Sequence, residues 1–137
     1  MLILTFILLL IASVYDIKYR RIPNVIVVML LLTGIFSIIY YHNTAQKLIG
    51  LVFPSILLLI PYLMNKTGAG DVKLIASTGL ILGAVINSLI LFISLVFVLL
   101  FSGILFILKK GPMKSVPFAP FVCAGFTFVI LITHLIK

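Results

Sequence analysis

Charged side chains fall in clusters separated by long runs of apolar residues, and those runs set the expected elements. Apolar segments cover 1–16, 22–41, 47–64, 72–86, 88–108 and 117–136. A helix needs about 20 apolar residues to cross a bilayer, and lipid offers no partner to an open backbone. The pattern therefore predicts an all-α, polytopic membrane protein of about six transmembrane helices, with 1–137 as a single integral-membrane domain. The stretch from Leu74 to Leu108 is 35 residues without a charge, too long for one span and enough for two short ones. Gly83, Asn87 and Ser88 are the expected turn between them.

Composition points the same way. Hydrophobic residues make up 64% of the chain and charged ones 9%, with a mean hydropathy of +1.46, which excludes a water-soluble globule. The net charge of +8 is read against membrane topology and not as a footprint for nucleic acid, which is not an expected partner. With six spans, Lys18, Arg20, Arg21, Lys66, Lys73, Lys109, Lys110 and Lys114 fall on one side, and Lys47 and Lys137 on the other. By the positive-inside rule both termini lie outside, and the connections at 17–21, 65–71 and 109–116 lie in the cytoplasm. The first run lacks a basic segment ahead of it, so it is expected to be a span and not a cleaved signal peptide. Cys123 is the one cysteine and falls in the last span, which leaves no intramolecular disulfide and no cysteine pair for zinc.

Only two residues are acidic, Asp16 and Asp71, and both are expected at the cytoplasmic face. Two lone carboxylates at one membrane face are the minimum equipment of an aspartyl protease. Asp16 closes the first run, where a helix C-terminus disfavours an anion, so it is not a cap. The structural alternative is a headgroup-level ion pair with Lys18, Arg20 or Arg21, worth little. Ile22-Pro23-Asn24 reads as the entry to the second span, because proline fits the first turn of a helix. Asp71 ends Gly68-Ala69-Gly70-Asp71, where glycines permit positive φ and close backbone approach to a peptide. Its structural alternative is an ordinary Asp N-cap. Pro54 and Pro61 are read first as packing features, with a bend that opens a cleft as the alternative. Gly34, Gly50, Gly79, Gly83, Gly103 and Gly125 are expected at close helix contacts. His42 and His134 fall toward the outer side, away from the acids, which argues against a His-carboxylate metal site.

Asp16, Arg21-Ile22-Pro23-Asn24, Gly68-Ala69-Gly70-Asp71 and Lys73-Leu74 together resemble the prepilin peptidase family of membrane aspartyl proteases. Pro117-Phe118-Ala119-Pro120-Phe121, followed by Ala124-Gly125, is similar to that family's Pro-Phe-Gly-Pro-Phe segment, with Ala119 replacing glycine. Gly-x-Gly-Asp alone is shared with presenilin-like proteases. The short link after Asp16 and the lone cysteine resemble the short Tad-type or preflagellin-peptidase form, which implies no methyl transfer.

The resemblance implies Asp16 and Asp71 as the catalytic pair, and Gly68, Ala69, Gly70 and Lys73 as substrate contacts. It implies a pilin-like precursor as substrate, with a short basic leader ahead of a hydrophobic helix, cut at the cytoplasmic face of the cell membrane. No cofactor and no metal are required. Two carboxyls sharing a water cannot both ionise cheaply, so one is expected to act as general base while the other keeps its proton. Helix ends suggest that Asp71 holds its charge and Asp16 is protonated, although the cations around Asp16 oppose this. Two other classes stay open on the residues alone: a small proton- or cation-coupled transporter, and a non-catalytic membrane assembly subunit.

Overall fold

The computed structural model describes residues 1–64, 68–108 and 116–135. Lys66, Lys109, Lys110, Lys114 and Lys137, five of the charges used to orient the chain, lie outside the described residues. The described residues form six helices: α1 (Leu2–Tyr19), α2 (Asn24–Tyr41), α3 (Thr44–Leu63), α4 (Ala69–Leu82), α5 (Ala84–Ile107) and α6 (Ala119–Leu135). α1, α2, α3 and α5 are long and apolar enough to cross a membrane. α6 is apolar with 17 residues. α4 has 14, about 21 Å at about 1.5 Å per residue, short of the ~30 Å hydrocarbon core. Six helices match the expected number, but α4 is too short for a full span.

Each boundary has a local cause. α1 runs past Asp16 to Tyr19 and stops where Arg20 turns left-handed (φ 51), its N–H donating to the Asp16 carbonyl at 2.9 Å. Pro23 then caps α2 with φ −61 and ψ 132, at a position where its missing N–H costs no helical bond. Between α4 and α5 the chain reverses at Gly83 alone, with φ +85, a conformation that costs glycine little. Asn87 and Ser88, expected in that turn, lie inside α5. Asn87 is fully buried: its Nδ2 donates to the carbonyls of Gly50 (3.2 Å) and Ile75 (3.0 Å), and its Oδ1 accepts from Thr78 Oγ1 (2.9 Å). A polar side chain with no water available takes helix carbonyls as partners.

α4 is the hub, packed against α2, α3 and α5, while α6 packs between α1 and α5 and closes the ring through α1 against α2. All six helices contribute to one core. The outer surface is apolar as well, with Leu99, Phe106 and Ile107 each more than two-thirds exposed, the pattern of a protein solvated by lipid.

The close contacts expected at glycines hold at four of the six positions. A Cβ on Gly79 would stand 1.9 Å from the Gly50 carbonyl oxygen, and one on Gly50 2.5 Å from Gly83. Gly34 meets Leu80 and Gly125 meets Ser94. Gly83 serves the turn, its nearest neighbour being 3.8 Å from a built Cβ, and Gly103 has nothing within 4 Å.

At the end of the bundle where α2 finishes and α3 begins, Lys47 is 5% exposed. Its Nζ donates to the carbonyl and the hydroxyl of Ser37, and Ser37 Oγ donates to the Ile81 carbonyl at 3.0 Å. Sequence places Lys47 among the outer charges; the fold turns it inward to bind the ends of α2 and α4 together.

Candidate active site

At the opposite end of the bundle, a cavity of about 720 Å³ opens between α1, α3, α4, α5 and the start of α6. Both acidic residues line it. Asp16 enters from the last turn of α1 and is 6% exposed. Asp71 enters from the first turn of α4 and is half-buried.

Asp71 is not the N-cap. Gly68 takes that place, and Asp71 sits three residues on, where its Oδ2 accepts the Gly68 N–H at 3.2 Å. Its own N–H donates to the Gly68 carbonyl at 3.1 Å. This is the backward-reaching half of a capping box.

Of the glycines in this motif, neither adopts positive φ, the left-handed glycine among the described residues being Gly83. Close approach accounts for Gly70, where an added Cβ would lie 3.3 Å from the Ile22 side chain. Lys73 Nζ donates to Asn24 Oδ1 at 3.5 Å. Gly-x-Gly-Asp thus docks onto Ile22-Pro23-Asn24, and each motif helps to place the other. Gly68, Ala69, Gly70 and Lys73 all line the cavity beside Asp71.

Asp71 stands ahead of the apolar run that begins at Val72. Burial pushes its carboxyl up from 3.8 to about 6, the Gly68 N–H pulls it down, and the nearby Asp16 charge pushes it further up. Helix ends alone suggest a carboxyl that holds its charge; desolvation outweighs that half-charge at this depth. Asp16 meets a group from beyond its own helix. The Ala119 N–H, at the start of α6, donates to Asp16 Oδ2 at 2.9 Å. The carboxylate at the negative end of α1 is therefore also at the positive end of α6.

Ala119, where the resembling family has glycine, is fully buried and stands at the first position of α6 without positive φ, so alanine fits there. Its N–H was not legible as a site group, since a backbone amide carries no sequence signal. Arg20 and Arg21 also line the cavity. The walls from α3 and α5 are apolar: Leu58 and Pro61 on one, Leu95 and Val98 on the other. Pro54 is buried in the packing of α3, while Pro61 faces the cavity.

Buried carboxyls of unequal environment around an open cavity can divide acid and base roles on one water. No curated protein and no solved structure matches the chain. A family model described as the type IV leader peptidase family matches residues 3–107, which takes in both aspartates and the Ile-Pro-Asn and Gly-x-Gly-Asp motifs and ends before α6. With most of its length matched, the chain belongs to the type IV leader peptidase family.

Proposed function

We propose that the chain is an aspartic endopeptidase that removes the short basic leader from type IV pilin-like precursors at the cytoplasmic face of the cell membrane. The observation that carries this reading is that the chain's two acidic residues, 55 positions apart in sequence, line one cavity in a leader peptidase. Asp16, with an amide donor on its carboxylate, acts as the base that takes a proton from water. Asp71, pushed up to about 6, keeps its proton, donates a hydrogen bond to the scissile carbonyl and stabilises the oxyanion as it forms. The proton then passes to the leaving amine. This reverses the division of roles that helix ends alone suggest.

Gly68, Ala69 and Gly70 present backbone beside Asp71, which suits an extended peptide laid along the cavity rim, with Lys73 beyond it. The apolar walls from α3 and α5 suit the hydrophobic residues that follow the cut. The basic side chains at this end hold the enzyme and the leader to anionic lipid headgroups. The active site faces the cytoplasm, both chain termini lie outside, and methyl transfer to the new N-terminus is not part of the activity.

The test is cleavage of a pilin-like precursor from the same genome in membranes holding the wild type, Asp16→Asn or Asp71→Asn at matched expression. Processing by the wild type alone is the expected result. Equal processing by all three refutes the dyad.

A further inference from the structure

The first turn of α6 has an uneven set of backbone donors. The N–H groups of Phe121 and Val122 both go to the Phe118 carbonyl, at 3.0 and 3.2 Å, and Pro120 has none to give. The Ala119 N–H is left over and is spent on Asp16 Oδ2, 2.9 Å away. Both groups are buried, Ala119 completely and Asp16 to 6% exposure. An amide aimed at a carboxylate out of water is a charge-assisted bond, stronger than a neutral one.

α6 is also clamped to α1, so that the donor cannot drift. Phe6 stacks on Phe126 with centroids 6.4 Å apart. Leu9, Ala12, Val122 and Cys123 fill the core there.

We propose that the backbone N–H of Ala119 is a positioning group for the proposed reaction, fixing the orientation of the Asp16 carboxylate. The inference rests on the reading of Asp16 as the base. Among the described residues, the charged groups that share the cavity with Asp16 are Arg20 and Arg21 from the link after α1, and Asp71 and Lys73 from α4. α3 and α5 contribute no charge to it. Through α6 the site thus depends on Pro117-Phe118-Ala119-Pro120, a segment beyond the stretch that the family model matches.

Ala119→Pro removes this one donor at a position that suits proline, the first residue of a helix whose preceding carbonyl is already the cap. Ala119→Gly keeps the N–H. Full-length enzymes in phospholipid nanodiscs would be assayed against a full-length pilin-like precursor for kcat and KM. Ala119→Pro should lower kcat about tenfold to hundredfold, the worth of one bond to a charged group. Its KM should hold. Ala119→Gly should overlay the wild type.

A structural defect would disturb substrate binding along with turnover, so a kcat that holds in Ala119→Pro, or a KM that rises as kcat falls, overturns the proposal. A loss shared equally by Ala119→Gly does the same. A second measurement needs no substitution at 119. In 15N-labelled enzyme the Ala119 amide proton should lie downfield and shift in Asp16→Asn, and its failure to respond overturns the proposal whether or not Ala119→Pro folds. Wild-type levels of cleavage by Asp16→Asn remove the proposed function itself, a different result from active-site aspartates that ignore Ala119.

Discussion

Asp71 carries the sharpest expectation at the scale of one residue. Its carboxyl, raised from 3.8 to about 6 by burial, is neutral in the folded protein at pH values where the unfolded chain would have ionised it. The folded state then binds more protons than the unfolded one between those values. Stability that Asp71 contributes is present in acid and is lost as pH rises from 3.8 to about 6. Asp71→Asn cannot titrate, so thermal unfolding in detergent should show this loss in the wild type and a flatter dependence in the variant. For cleavage, a proton-bearing Asp71 predicts that kcat/KM falls as pH rises past about 6. The limb of kcat should lie at higher pH, because bound substrate excludes more water. A profile flat on both sides of that value would refute Asp71 as the acid. The identity of the two acids was plain in the sequence, since there are no others. Their surroundings were not, because burial and the contact with the Ala119 amide arise only when helices distant in sequence pack.

At the scale of elements, the crossing of α3 and α4 at Gly50 and Gly79 leaves no room for a side chain. Gly79→Ala would force the backbones apart, and overpacking of this kind costs about 1–3 kcal/mol, visible as a lowered unfolding temperature. The displacement would reach the cavity through α4, so cleavage should fall as well. Gly103→Ala, with open space around it, should be neutral or stabilising by up to about 1 kcal/mol, since alanine favours a helix over glycine. Equal effects of the two substitutions would contradict this packing. Hydrophobic runs foretold six helices, with two short ones meeting at a turn of Gly83, Asn87 and Ser88, but not that α5 would run to 24 residues or that Asn87 and Ser88 would lie within it. Hydropathy does not distinguish a turn asparagine from one that binds the carbonyls of Gly50 and Ile75 inside the bundle.

For the whole molecule, the orientation proposed above makes a direct prediction. Lys18 and His42 are both exposed, at opposite ends of the bundle, and the native Cys123 is buried, so introduced cysteines can be read against a low background. In intact cells an impermeant thiol reagent should label His42→Cys and spare Lys18→Cys; the opposite pattern would place the cavity outside. Sequence by itself determined the helical membrane class, the two acids, their shared end of the bundle and the motifs around them. Each of these follows from residue type and local order, which apolar length, charge bias and glycine or proline placement express directly. Only the tertiary structure decided which groups surround those acids. Packing α4 against α2 set Gly70 on Ile22 and Lys73 beside Asn24. Packing α6 against α1 brought the Ala119 N–H across 103 residues to Asp16. Desolvation and a backbone donor are properties of a place, not of a residue type, and that place exists only once the helices have come together.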